Sequence, residues 1–367
     1  MSIDTKYYWA AILAFKKITP TRFKKLIAYF KKAELIWQAD LTELVKFGLQ
    51  KDVAREFVDY KKKTDINQEL KKLADEKINI TAIIDDNYPQ RLKKIKNPPY
   101  LLYYKGDLRS VDNPLLAIVG TRKTSSYGRQ AAYQISSDLV KSGLGIASGL
   151  ALGIDTISHK AAIEAGGITV AVLGSGLDRQ NFYPQTNRNL AEKIISYGGV
   201  VISEYPLGTE PFHYNFPGRN RIISGLSIGV LIIEAPLKSG ALITAEYARD
   251  QKRKVFVLPG NIYSKNSKGT NSLIKKGEGK LITDHSDILA ELNLEDSGSR
   301  KEKVQPALPL SQNEKILLKY LSSDPIHIDQ LAKHSGMDLS VVNSTVSILE
   351  IGGRVKNLGD MKYVLLY

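Results

Sequence analysis

Residues 115–128 read Leu115-Leu116-Ala117-Ile118-Val119-Gly120-Thr121-Arg122-Lys123-Thr124-Ser125-Ser126-Tyr127-Gly128. The apolar run is too short for a buried helix and stops at a glycine, so it predicts a strand. Hydroxyl and basic residues follow it and lead into a helical period that starts near Tyr127. A strand, a glycine turn and a helix make the first half of a βαβ unit. Working outward, similar runs recur at 80–84, 144–147, 169–173, 200–202, 230–233 and 255–258. Strands that are apolar at every position, not at alternate ones, suit a parallel sheet covered on both faces. Residues 78–293 are therefore expected to form an α/β domain with a Rossmann-like, doubly wound, mostly parallel sheet.

The flanks read differently. Residues 1–77 predict short helices over 7–15, 21–30 and 41–47, followed by a Lys-rich helical run ending near Glu76. This is expected to be an N-terminal helical domain of the SAM/helix-hairpin-helix type. Its Thr19-Pro20-Thr21 start signal and Lys46-Phe47-Gly48-Leu49 turn resemble units that offer backbone amides to a DNA phosphate; a plain bundle with solvated lysines fits equally well. Residues 294–311 are polar and charged and carry Pro306 and Pro309, which predicts a linker. Within 312–367, three helices (313–321, 328–334 and 339–351) and a hairpin turning at Leu358-Gly359-Asp360 predict a C-terminal winged helix. Its third helix is flanked by Asp338, carries Glu350 and has hardly any basic residue, so major-groove reading is not favoured. A protein contact or a weak DNA role remain equally open.

With 52 Lys and Arg against 38 Asp and Glu, the net charge is +14. Such a field attracts nucleic acid, anionic lipid or acidic protein alike, so motifs must choose among them. The absence of cysteine excludes disulfides, thiolate chemistry and Cys-ligated zinc or iron–sulfur sites, and suits a reducing cytoplasm. The first 17 residues lack the charge order and cleavage site of a signal peptide, and no apolar stretch approaches roughly 20 residues, so no membrane association is expected. His159, His213, His285, His327 and His334 are scattered without ligand spacing, so neither a metal nor a cofactor is expected.

In a parallel sheet the glycines that follow strands lie on one edge, where helix amino termini expose unpaired N–H groups. Gly120, Gly149, Gly174 and Gly176 fall there, with Ser175 between the last two. Glycine also simply permits a tight turn, so any one of them is ambiguous; their convergence favours a phosphate site. The first loop adds Thr121, Arg122 and Lys123. Arg122 stands out, because a guanidinium can grip a phosphate in a bidentate, charge-assisted manner. Residues 216–227 place Phe216, Arg219, Asn220 and Arg221 at the entrance to another helix, a mixture suited to unstacked bases and a phosphate backbone. The alternative gives Phe216 to the core and pairs the arginines with Glu204 or Glu234. A third loop supplies Lys238, Ser239 and Gly240 at a helix start. Neither a Walker loop nor the Gly-x-Gly-x-x-Gly fingerprint occurs, which removes support for ATP hydrolysis and nicotinamide chemistry. Asp155, Asp178, Glu204 and Glu234 stand where a general base would, but carboxylates there more often cap helices or orient arginines.

These motifs together resemble the DNA processing protein A (DprA/Smf) family. The resemblance rests on Val119-Gly120-Thr121-Arg122, on residues 148–155, on Gly174-Ser175-Gly176-Leu177-Asp178 with Tyr183-Pro184, on residues 216–227, on Glu234-Ala235, Lys238-Ser239-Gly240 and Thr244-Ala245, and on Leu258-Pro259-Gly260-Asn261 and Gly269-Thr270-Asn271. It implies a homodimer that binds incoming single-stranded DNA during natural transformation and helps load RecA recombinase in place of single-strand-binding protein. It also implies that Gly120 and Arg122 contact phosphate and that Phe216, Arg219, Asn220 and Arg221 line the same pocket. No covalent chemistry is expected. The competing reading is a Rossmann-like nucleotide phosphoribohydrolase acting on nucleoside monophosphates, with Gly240, Thr244 and Glu246 as the remnant of its signature.

Overall fold

The computed structural model describes residues 4–295, 310–322, 324–352 and 354–365. Six helices come first: α1 (Thr5–Ala14), α2 (Pro20–Phe30), α3 (Ala33–Gln38), α4 (Leu41–Phe47), α5 (Lys51–Lys63) and α6 (Ile66–Asp75). Their ends follow local chemistry. The Asp4, Thr19 and Asp65 side chains accept from backbone amides of the first turns, and Pro20 opens α2 where no amide partner is needed. Asp40 and Glu43 form a capping box at α4, and Gly48 ends it at φ 109, a left-handed turn that glycine adopts freely. The Lys-rich run is two helices, not one, because Asp65 caps a new helix after Thr64.

The chain then builds β1 (Asn79–Ala82), α7 (Gln90–Lys93), β2 (Leu101–Gly106), β3 (Leu115–Val119), α8 (Ser126–Lys141), β4 (Gly145–Ser148), α9 (Ile154–Glu164), β5 (Thr169–Leu173), α10 (Arg188–Ser196), β6 (Val200–Ser203), α11 (Asn215–Leu226), β7 (Gly229–Ile232), α12 (Gly240–Asp250), β8 (Lys254–Val257), α13 (Lys268–Lys275), β9 (Lys280–Leu281) and α14 (His285–Glu291). The strands form one nine-stranded sheet in the order β1-β2-β6-β5-β4-β3-β7-β8-β9. From β6 to β9 all neighbours are parallel, whereas β1–β2 and β2–β6 are antiparallel. The sheet is thus mostly parallel and doubly wound, as the apolar runs predict. Sequence patterning misses β2, whose Tyr103-Tyr104-Lys105-Gly106 half is not continuously aliphatic and is followed by no crossover helix.

Chain order reverses beside β3: β4, β5 and β6 step away on one side, then α11 carries the chain back to β7 on the other. A ligand crevice is expected at the carboxyl ends of β3 and β7. Alternate strand residues serve two cores. Val170, Val172, Val200 and Ile202 join Ile222, Ile223, Ala241 and Ala245 of α11 and α12. Ala171, Leu173 and Val201 face the opposite way, into a core shared with Ile194 of α10 and with Trp9, Phe23, Leu26 and Phe57 of the N-terminal helices. Within that second core Trp9, Phe23 and Tyr100 form an edge-on aromatic triad, with ring centroids 5.1–6.2 Å apart.

The chain divides into two compact units, and the second contains the C-terminal region. There α15 (Gln312–Leu318), β10 (Ile326–His327), α16 (Ile328–Ser335), α17 (Leu339–Ile351), β11 (Val355–Asn357) and β12 (Lys362–Leu365) make a winged helix around Leu317, Leu331, Val342, Val346 and Tyr363. The wing pairs Asn357 with Tyr363 across a turn in which Gly359 sits at φ 91. Most of the linker expected at 294–311 lies outside the described residues. Among the described residues, no helix is long and apolar enough to cross a membrane.

Candidate nucleic-acid interface

At the reversal point the loop after β3, the start of α11 and the start of α12 enclose an open cavity of about 400 Å³. Gly120, Thr121, Arg122, Phe216, Arg219, Asn220, Ser239 and Gly240 line it together with Ala151, Asp155, His213, Pro236 and Thr244. Gly120 is dictated by packing: a Cβ there would lie 2.5 Å from Ile154 of α9 and 3.0 Å from the Glu234 carbonyl. The Thr121 amide donates to that same carbonyl at 2.8 Å, and the Thr121 hydroxyl accepts from the Lys123 amide. The loop is thereby held while the Arg122 side chain projects outward, exposed. The Arg122 guanidinium lies 5.4 Å from the centroid of the Phe216 ring, a cation–π contact, and among the described residues no carboxylate forms an ion pair with it.

The α12 side of the cavity is held in a different way. Ser239 caps the helix by accepting from the Ala241 amide, and the Asn220 amide group donates to the Gly240 carbonyl, which fixes α11 to the start of α12. The helix amino terminus with its partial positive charge thus faces the cavity. Nothing lies within 4 Å of a Cβ added at Gly240, so this glycine leaves the cavity wide. Thr244, one turn on, faces the cavity beside it.

Arg219 has a different environment from Arg122. It is 5% exposed, and its guanidinium donates to the Gly149 carbonyl at 2.9 Å, to the Val172 carbonyl and, through Nε, to the Asn220 side chain. Burial lowers its pKa to about 10, an effect that the nearby Asp155 carboxylate opposes and Arg122 reinforces. Asp155 accepts from the Gly149 and Ala151 amides, and its own pKa is raised because burial outweighs the Arg219 charge and these hydrogen bonds. The loop between β4 and α9 is pinned from both sides, with Leu150 at φ 55, a strained position for leucine, and its carbonyl held by Asn187. Gly149 is required because a Cβ would lie 2.6–2.8 Å from the Arg219 guanidinium. Arg221 pairs with Glu204 at 2.6 Å, the partner weighed for it in the sequence, and does not line the cavity.

The loop after β5 also stands apart. Gly174, Ser175 and Gly176 are buried. The Gly176 amide is taken by the Thr209 carbonyl at 2.9 Å, and a Cβ on Gly174 would meet the Phe216 ring at 2.8 Å. This loop supports Phe216 from behind and offers little to the cavity. Lys123 and Lys238 are exposed and neither lines the cavity: Lys238 lines a neighbouring groove, and the Lys123 carbonyl accepts from Asn266 in the loop after β8. Sequence reasoning does not select Ala151 or Pro236 as site residues, and it meets Thr244 only in the Thr244-Ala245 motif and in the signature of the phosphoribohydrolase reading. No group of His, Asp and Glu among the described residues could hold a metal ion.

A doubly wound, mostly parallel sheet with an open cavity at its reversal point, followed by a winged helix, defines a class of Rossmann-like α/β proteins with a C-terminal winged helix. Residues 79–293 match the profile of DNA recombination-mediator protein A, and residues 301–361 that of the DprA winged helix domain. The chain belongs to this DprA/Smf family. Protein Smf of Synechocystis is 33% identical over 99% of both chains. The X-ray structure of DNA processing protein A from Streptococcus pneumoniae covers 79% of this chain and 99% of its own at 36% identity and TM-score 0.67. That of DNA processing protein A from Helicobacter pylori, described for its single-stranded DNA binding mode, covers 59% of this chain and 95% of its own at 32% identity and TM-score 0.53.

Proposed function

We propose that this chain is a cytoplasmic, single-stranded DNA-binding recombination mediator that does no covalent chemistry on its ligand. It acts as a homodimer through its sheet domain, shields incoming DNA during natural transformation and hands it to RecA in exchange for single-strand-binding protein. The observation that carries the reading is Arg122, exposed over the Phe216 ring at the mouth of the cavity and free of an ion-pairing carboxylate among the described residues. A guanidinium beside an aromatic face, above a helix amino terminus, suits a phosphate followed by an unstacked base. Within this reading Gly120, Thr121, Lys123, Asn220, Ser239, Gly240 and Lys238 belong to the DNA-facing rim, while Arg219, Gly149, Gly174, Ser175, Gly176 and Arg221 hold it in shape. The phosphoribohydrolase reading is weaker because Glu246, its acid–base candidate, is exposed and lines a neighbouring groove that shares Ser239 and Gly240 with the cavity but does not include Arg122.

The test is fluorescence anisotropy of labelled single- and double-stranded oligonucleotides against the wild type and Arg122→Ala. The expected result is a strong single-strand preference that weakens about ten- to hundred-fold in the variant, the size of one charge-assisted hydrogen bond. Equal affinity of both proteins for both ligands overturns the reading.

A further inference from the structure

Just before α11 the chain turns through Phe212, His213 and Tyr214, all exposed. The Phe212 and Tyr214 rings stack on each other, 9° from parallel with centroids 5.3 Å apart, yet Tyr214 is 73% and Phe212 36% solvent-exposed. Two rings displayed side by side in water gain only part of their burial energy, which is how a site for a further flat partner looks. The turn beneath them is rigid. The Asn215 amide donates to the Phe212 carbonyl at 2.9 Å, the buried Asn215 side chain reaches the Glu210 carbonyl, and Tyr205 donates to the Asn215 carbonyl. His213, between Phe212 and Tyr214 in sequence, lines the cavity that holds Arg122 and Phe216. On the other side of Phe216, Tyr183 leans on it with centroids 5.7 Å apart and is itself 37% exposed.

We infer that the Phe212–Tyr214 pair is a second stacking platform, which takes an unpaired base of the same strand as it leaves the cavity. This rests on the single-strand reading above and extends it from one gripped nucleotide to a directed path. The occupant is fixed by continuity: the pair adjoins the cavity through His213, and rings stack any base without regard to sequence. An apolar peptide would not need the neighbouring phosphate-binding rim.

The test compares an oligothymidine with an abasic strand of equal length and charge. Phe212→Leu combined with Tyr214→Leu keeps apolar bulk and removes the rings. The expected result is a loss of about five- to hundred-fold on the base-bearing strand, no change on the abasic strand, and retention of wild-type affinity by Tyr214→Phe. Unchanged affinity for both strands, or an equal loss on both, overturns the platform while leaving the parent reading intact if Arg122→Ala still weakens binding. Failure of the wild type to bind either strand overturns both.

Discussion

The loop after β3 and the loop after β5 carry one sequence signal, an apolar strand that ends in glycine, yet the first opens onto solvent and the second is buried. After β3 the backbone is tied to the Glu234 carbonyl while the Arg122 side chain stays exposed. After β5 the Gly176 amide is consumed by Thr209 and the glycines make room for the Phe216 ring. The same division separates Arg122 from Arg219: both guanidiniums lie within 6.0 Å of the Phe216 ring centroid, one on the rim and one in the floor. A glycine after a strand marks a place where something must come close. Whether that something is a ligand or the protein's own side chain is decided elsewhere in the fold.

Arg219→Ala gives the largest effect. It strips the Gly149 and Val172 carbonyls of a donor and leaves the Asp155 charge buried, so stability should fall by about 3–5 kcal/mol in urea unfolding. If Arg219 instead served the ligand alone, the variant would unfold like the wild type. Arg122→Ala reverses the pattern: stability stays within about 0.5 kcal/mol, whereas the dependence of log affinity on log salt becomes shallower by about 0.7, one phosphate contact on a single strand. An unchanged slope would remove Arg122 from the rim. Gly149→Ala drives a Cβ into the Arg219 guanidinium and should cost about 1–3 kcal/mol of stability; a variant as stable as the wild type would show that the floor can give way. The smallest effect belongs to Ser175→Ala, which should leave single-strand affinity unchanged within error, because the side chain is buried and, among the described residues, bonds only to the Gly176 carbonyl at 3.3 Å. A marked loss in a titration would mean that the β5 loop opens to the ligand.

The parallel strands β3 to β7, and β8 beyond Lys254, were legible because they are buried on both faces and therefore mostly apolar. The starts of α2 and α4 were legible because Thr19 and Asp40 cap them locally, whereas α3, which has no side-chain cap, was not. β9 was not, since it consists of Lys280 and Leu281 alone, paired to β8 by its neighbours' geometry. Within the site, the rim could be read from sequence: Arg122 between a strand end and a helix start has few inward directions. The floor could not. Arg219 and Arg221 look alike in sequence, and only the docking of α11 over β4 and β5, beside Asp155 from another loop, turns Arg219 inward and leaves Arg221 to Glu204. Ala151 and Pro236 have no polar atom in their side chains to announce them.

The aromatic triad of Trp9, Phe23 and Tyr100 sits in a hydrophobic cluster that runs without a break from α1 to Val201 of the sheet. Such continuity makes the first six helices part of the core at the β1–β2 end of the sheet, where α1 packs on both strands, and not an appendage. Heating should therefore melt helices and sheet in a single transition, with tryptophan fluorescence and far-ultraviolet ellipticity superimposing. A chain shortened to begin at residue 78 would turn Ile80, Ala82, Leu101 and Tyr103 of β1 and β2 out to water and should be recovered as aggregate, whatever its affinity for DNA.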